Sequence, residues 1–180
     1  FGYGATEWPD LQAAVDYATA HGAQKVLLYA DSMGASVTAA YLQHSDHVPT
    51  VTGIVMDAPM LSFSDAVDLG ASRTSLPVVG LPVPGSLVWT AKQITGLRYG
   101  VDWSALDYAG DTSWVTVPVL VVHGDEDPTA PLVTSQRLAA ANPDRVTLEV
   151  FPTAAHLESW NTDRARFESL VGAFLAQHAT

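Results

Sequence analysis

Apolar residues recur at helical spacing over residues 6–21, where Leu11, Val15, Tyr17 and Ala18 fall between Thr6 and Gly22. That pattern predicts an amphipathic helix capped by Thr6 and stopped at Gly22. The pattern then changes. Residues 25–30 (KVLLYA) are a short apolar run with the length and composition of a buried strand, and residues 51–56 (VTGIVM), 117–122 (VPVLVV) and 146–151 repeat it. Helical segments lie between and after them: an Ala-rich stretch from Asp31-Ser32-Met33-Gly34 to His44, then residues 131–141 and 162–177. Strands alternating with helices predict the α/β class, a parallel sheet covered by helices on both faces.

One segment breaks the rhythm. Between Leu61 and Thr116 the prolines and glycines crowd into a block, Leu76-Pro77-Val78-Val79-Gly80-Leu81-Pro82-Val83-Pro84-Gly85, with a helix expected over about 86–97. The stretch is too long for a plain crossover and predicts an insertion or lid, at about 61–116, over the carboxyl edge of the sheet. No internal repeat and no disordered tract is visible. A chain of 180 residues with 48% hydrophobic residues fits one domain with a packed core, spanning 1–180.

Charge narrows the partners. Eight Lys+Arg stand against 19 Asp+Glu, for a net charge of −11. No basic cluster offers a phosphate-binding surface, which argues against nucleic acid, and an anionic membrane would repel such a surface. No apolar run approaches the roughly 18 residues of a membrane span. The absence of cysteine removes disulfides, thiolate zinc sites and cysteine nucleophiles together. The chain begins Phe1-Gly2-Tyr3-Gly4, without an initiator Met or a targeting segment, so it is expected to be part of something longer, and its compartment stays open.

Acyl chemistry needs an exposed nucleophile, a base to take its proton and a group to orient the base. A serine at a sharp strand-to-helix turn meets the first need. Ser32 stands at such a turn, with Ala30 and Gly34 at the two positions that must be small because strand and helix pass closely there. Directly after the third strand comes His123-Gly124-Asp125-Glu126-Asp127-Pro128-Thr129-Ala130-Pro131. After the fourth comes Phe151-Pro152-Thr153-Ala154-Ala155-His156.

These three segments together resemble the α/β-hydrolase superfamily, serine esterases and lipase-like enzymes included. The HGxxDxxxP turn is similar to its acid-bearing loop, and the small residues before His156 to its histidine loop. The chain order Ser, Asp, His is that of the fold. The resemblance implies Ser32 as nucleophile, Asp127 as acid and His156 as base, with no metal and no organic cofactor. It covers nearly the whole chain, but only the later part of the family's fold. Ala30 departs from the family's usual glycine. An oxyanion hole of two backbone N–H groups is also implied: Met33 supplies one, and the second, from an upstream loop, has no candidate here. Right-handed crossovers would set the four strands side by side and leave the 25–30 strand with an unpaired apolar edge. This polypeptide by itself is therefore expected to be poorly soluble or inactive.

Other readings stay open on the sequence. Asp125, Glu126 and Asp127 also fit a hydrophilic loop or a weak cation site, with Asp125 and Glu126 as solvated turn residues. Asp57, after the second strand, is the rival acid, although Ala58-Pro59 suggests a structural turn. His21 reads as a helix end, His44 and His47 as parts of a polar connector, His178 as tail, and His123 as a brace of its own turn. Met33, Met60, Leu61, Phe63, Leu76, Leu81, Trp89 and Trp103 either line an acyl pocket or pack a lid onto the sheet. Arg73, Lys92 and Arg98 are either partners for a carboxylate or plain surface charges. The substrate expected is a small acyl compound, first a carboxylic ester. The alternatives are a peptide, as in prolyl-oligopeptidase-like enzymes, an acyl transfer using the same residues, or a non-catalytic binding role. Oligomeric state is not legible.

Overall fold

The computed structural model describes residues 2–45, 50–76 and 80–178. Pro77-Val78-Val79 of the proline block and His47 lie outside the described residues. Four strands, β1 (Val26–Asp31), β2 (Val51–Asp57), β3 (Val119–Gly124) and β4 (Val146–Phe151), form one parallel sheet in the order β1-β2-β3-β4. The helices are α1 (Trp8–Ala20), α2 (Met33–His44), α3 (Phe63–Ser72), α4 (Gly85–Tyr99), α5 (Leu132–Ala141), α6 (Ser159–Thr162) and α7 (Arg164–His178).

Burial explains the strand order. β3 is buried at every residue and β2 at all but one, as continuous apolar runs should be in the middle of a parallel sheet. β1 and β4, at the two edges, alternate or are half-buried. Neighbouring residues of β3 face opposite sides. Val119 and Val121 join a core with Val15 of α1, Ala35 and Ala39 of α2 and Leu138 of α5, whereas Val122 packs with Phe151 and with Phe167 of α7. Helices thus cover both faces. A side chain at Gly53 would strike Leu27 at 2.8 Å and Phe174 at 3.1 Å, so that glycine lets α7 lie close to the sheet.

The boundaries differ from expectation where capping or proline decides. Helix α1 starts at Trp8, with Glu7 rather than Thr6 at the N-cap, and the Glu7 carboxylate accepts the N–H groups of Gly2 (2.6 Å) and Gly4 (3.0 Å). β3 starts after Pro118, which has no N–H to give the ladder and contributes only its carbonyl, to Ile54. The helix expected over 162–177 starts at Arg164, directly after Asp163, whose Oδ1 accepts the Arg166 N–H (3.0 Å).

The segment between β2 and β3 holds an unexpected helix, α3, whose N-cap Ser62 accepts the Asp65 N–H at 3.3 Å. Helix α4 runs to Tyr99 and ends on Gly100 in the left-handed conformation (φ 68°), the role glycine fills at no steric cost. The ends of this segment belong to the core itself: Leu61, Tyr108, Ala109, Trp114 and Val115 pack under the sheet, and the indole N–H of Trp114 bonds the Tyr108 carbonyl at 2.9 Å. Among the described residues no helix is long and apolar enough to cross a membrane.

Candidate active site

Ser32 occupies the turn between β1 and α2 at φ 49° and ψ −113°, a region that non-glycine residues rarely enter. The turn is pinned from β2: the Ser32 N–H donates to the Asp57 carbonyl (3.0 Å), and the Met60 N–H donates to the Ser32 carbonyl (3.0 Å). Ser32 is the N-cap of α2, yet its hydroxyl makes no capping bond. It lies 2.9 Å from Nε2 of His156 instead. Ala30 is accommodated without strain, since even a methyl added at Gly34 would meet the Ala30 methyl at 3.8 Å, an ordinary contact. The Met33 N–H, at the first position of α2, has no intrahelical acceptor.

The loop after β3 places Asp127. The N–H groups of Thr129 (2.7 Å) and Ala130 (2.8 Å) donate to its Oδ1, and His156 Nδ1 lies 2.8 Å from its Oδ2. Burial by itself would raise this carboxyl, but hydrogen bonds from His123, His156, Ala130 and Thr129 outweigh it and hold the group well below the usual carboxylate range. A carboxylate only accepts, so the His156 proton sits on Nδ1 and the Nε2 lone pair faces the Ser32 hydroxyl.

His123, fully buried, has its Nε2 3.1 Å from the Ala130 carbonyl and 3.4 Å from Oδ2 of Asp127. A carbonyl cannot donate, so Nε2–H is the donor and Nδ1 accepts from the Ser135 hydroxyl (2.8 Å). His123 therefore braces its turn, as the sequence suggests, and also the carboxylate that the turn carries.

The loops after β3 and β4 are stitched together. The Thr153 N–H donates to Oδ1 of Asp125 (2.7 Å), the Asp125 N–H to the Phe151 carbonyl (3.1 Å), and the Glu126 N–H to the Ala154 carbonyl (3.1 Å). A Cβ on Gly124 would fall 2.0 Å from that Ala154 carbonyl oxygen, so only glycine lets the loops approach this closely. Asp125 is thus more than the solvated turn residue expected. It is exposed, but it fixes the loop carrying His156. Among the described residues no group of three or more His, Asp or Glu side chains is arranged to hold a metal ion.

Asp57 is buried at the end of β2, with the Ser159 hydroxyl 3.5 Å from its Oδ1. Burial, and then the charge of Asp31 across the β1–β2 register, push its carboxyl up to about 6. Both ring nitrogens of His156 are already engaged, by Asp127 and Ser32, so Asp57 is not the carboxylate that His156 bonds.

Other candidates disperse. His21 caps α1, its Nδ1 2.8 Å from the Tyr17 carbonyl. His44 and His178 are the last residues of α2 and α7, not connector and tail, since each ring finds an aromatic neighbour, Trp8 and Phe174 respectively. Leu61 is sealed in the core, and Leu81 and Trp89 face solvent at 61% and 64% exposure. Met60 and Phe63 do line a cavity of about 280 Å³, with Tyr3, Ala66, Val67, Gly70, Pro128 and Thr129. Phe63 stacks on Tyr3 (ring centroids 3.8 Å apart) and on Trp103 (5.2 Å). Lys92 is taken up by Asp68 (2.7 Å) and Ser64, Arg98 lies over the Tyr99 ring, and Arg73 reaches the Asp127 carbonyl at 3.4 Å.

No family model and no curated protein matches the sequence. Solved structures do resemble it. The esterase Pf2001 of Pyrococcus furiosus superposes with a TM-score of 0.65 at 19% identity, over 99% of this chain and 64% of its own. The esterase RhEst1 of a Rhodococcus species gives 0.60 at 20% identity, over 98% and 74%. An acylaminoacyl peptidase of Pyrococcus horikoshii gives 0.69 at 17% identity, over 98% and 28%. The chain thus spans 64% of the Pf2001 esterase and little more than a quarter of the peptidase. The likeness establishes the fold: a four-stranded parallel sheet with helices, as in α/β hydrolases.

Proposed function

We propose that this chain is the later part of a serine hydrolase that cleaves a carboxylic ester or similar acyl bond through an acyl-enzyme on Ser32. The unbroken hydrogen-bonded series from the Ser32 hydroxyl through His156 to the Asp127 carboxylate carries the reading. His156 Nε2 takes the hydroxyl proton as Ser32 Oγ attacks the carbonyl carbon. The imidazolium that forms is stabilised by Asp127, which stays ionised because four hydrogen bonds favour its charged form. The Met33 N–H meets the developing oxyanion. His156 then protonates the leaving group, the carbonyl re-forms, and water attacks the acyl-enzyme by the same route. Helices α3 and α4 serve as the lid.

Esters are the first choice, since two of the structural neighbours carry the name esterase. The acylaminoacyl peptidase neighbour supports a peptidase as the second reading, and acyl transfer would use the same residues. Parallel assays with short p-nitrophenyl esters and peptide anilides, each with Ser32→Ala as control, test the proposal. Ester turnover that vanishes in the variant supports it, anilide turnover alone moves it to a peptidase, and ester turnover that survives Ser32→Ala overturns it. Product analysis with an added alcohol or amine acceptor separates hydrolysis from transfer.

A further inference from the structure

We propose that the acyl group taken by this site carries a second, remote carboxylate, and that Arg73 recognises it from the end of the cavity beside α3. This rests on the serine-hydrolase reading and specifies its substrate class.

Of the helices, α3 has the sharpest separation of apolar from polar positions, yet none of its residues is fully buried. An apolar stripe of that kind ordinarily faces the core. Here Phe63, Ala66, Val67 and Gly70 line the cavity of about 280 Å³ instead. The space beside the helix is open: a Cβ added at Gly70 meets nothing within 4 Å. Three of the other walls adjoin the site. Met60 bonds the Ser32 carbonyl through its N–H, and Pro128 and Thr129 directly follow Asp127. A short methylene chain suits such walls.

Arg73 is exposed and lies beyond the cavity's lining, but it follows the row Phe63, Ala66, Val67, Gly70 by one further step of three, at the C-cap of α3, and reaches the residue before Pro128. Its Nη2 donates to the Asp127 carbonyl at 3.4 Å, a long bond that leaves most of the five guanidinium donors for other use. Lys92, Arg137, Arg164 and Arg166 each hold a carboxylate. Among the described residues Arg73 forms no ion pair, although the protein carries 19 acidic side chains. From Leu69 to Val101 the sequence has no Asp or Glu and three cations, of which Lys92 is neutralised by Asp68 while Arg73, among the described residues, is not paired. A planar guanidinium matches a carboxylate through two parallel N–H bonds. An uncharged acyl chain has no use for a cation there.

The test compares mono-4-nitrophenyl glutarate with 4-nitrophenyl butyrate on the full-length protein that contains this chain, reading the nitrophenolate burst and kcat/KM for each. The glutarate half ester is expected to be favoured about tenfold, of the order that one charge-assisted pair supplies. Arg73→Gln should erase that ratio and Arg73→Lys should keep part of it. If Arg73 merely braces the loop carrying Asp127, the variants change both esters alike and the ratio stays. No preference for the half ester, or a preference that survives Arg73→Gln, overturns the proposal while butyrate acylation upholds the hydrolase reading. If neither ester acylates Ser32, both fall together.

Discussion

Two buried carboxylates near His156 have opposite electrostatic environments. Asp127 receives hydrogen bonds from two backbone N–H groups and two imidazoles, and its acidity is strengthened. Asp57 is buried and faces the charge of Asp31, with the Ser159 hydroxyl as its one hydrogen-bond partner among the described residues, at 3.5 Å, so its carboxyl is pushed up to about 6 from 3.8. Their stability contributions therefore have opposite signs. The Asp127 contribution is present above the unfolded value near 3.8 and is lost as pH falls through its depressed folded value. The Asp57 contribution is present below 3.8 and is lost as pH rises through about 6, because the folded state must then hold a buried charge. Asp57→Asn, neutral at every pH, should stabilise the protein by about 1–3 kcal/mol at pH 7–8 and confer no advantage below pH 4. Urea unfolding at pH 4 and at pH 7.5 checks this, and equal effects at both would contradict it. Turnover gives an independent contrast. Asp127→Asn should cost about 10⁴-fold by leaving His156 without the partner that fixes its tautomer, and Asp57→Asn far less. A loss at Asp57 as large as at Asp127 would make Asp57 the acid. The HGxxDxxxP turn pointed to Asp127 over Asp57 in the sequence, and the hydrogen bond to His156 falls on Asp127. The environment of Asp57 was not legible, since it depends on the register that sets Asp31 beside it.

Close approaches between elements give a paired test. Gly34 and Gly124 both stand where strand, helix and loop converge, and of the two the sequence pattern singles out only Gly34 as a position that must be small. A methyl at Gly34 meets another methyl at 3.8 Å, whereas one at Gly124 meets a carbonyl oxygen at 2.0 Å. Gly34→Ala should be neutral or stabilising, by up to about 1 kcal/mol from the better helix former. Gly124→Ala should lower the melting temperature and, by pushing the loop after β4 aside, lower turnover more than stability explains. Thermal unfolding and kcat for the pair decide; equal behaviour would contradict the stitched-loop account. Helix α3 shows how an element went unseen. Ser62 with Asp65 three residues on is a capping signal, and Phe63, Ala66 and Val67 begin a helical stripe, but the proline block downstream dominates the reading of the whole segment. Ser62→Ala should cost about 1 kcal/mol through the lost cap. The last helix was expected from Thr162 and starts two residues later, at Arg164, because the Asp163 side chain caps the Arg166 N–H, while the single turn α6 before it is too short to show as a pattern.

At the scale of the whole molecule the sheet order is what sequence pattern reads best. Continuous apolar runs mark the central strands β2 and β3, and the parallel order follows from the crossovers. The same order puts β1 at an edge among the described residues, with Tyr29 53% exposed on a strand otherwise suited to pairing. Unpaired edges of this kind associate, so sedimentation velocity on these 180 residues should show concentration-dependent self-association, and a clean monomer across the range would contradict that. What the sequence left open here is how the segment between β2 and β3 divides between core and surface. Trp114 and Tyr108 turn inward and Trp89 and Leu97 outward, a choice made by packing and not by residue type. The fold holds the Ser32 hydroxyl 2.9 Å from Nε2 of His156. The most direct measurement is intact-mass analysis after exposure to a fluorophosphonate, with the modified residue mapped by peptide sequencing. The account predicts a single adduct on Ser32, lost in Ser32→Ala and strongly slowed in His156→Ala. An adduct that persists in Ser32→Ala, or a Ser32 that reacts equally well without His156, would contradict it.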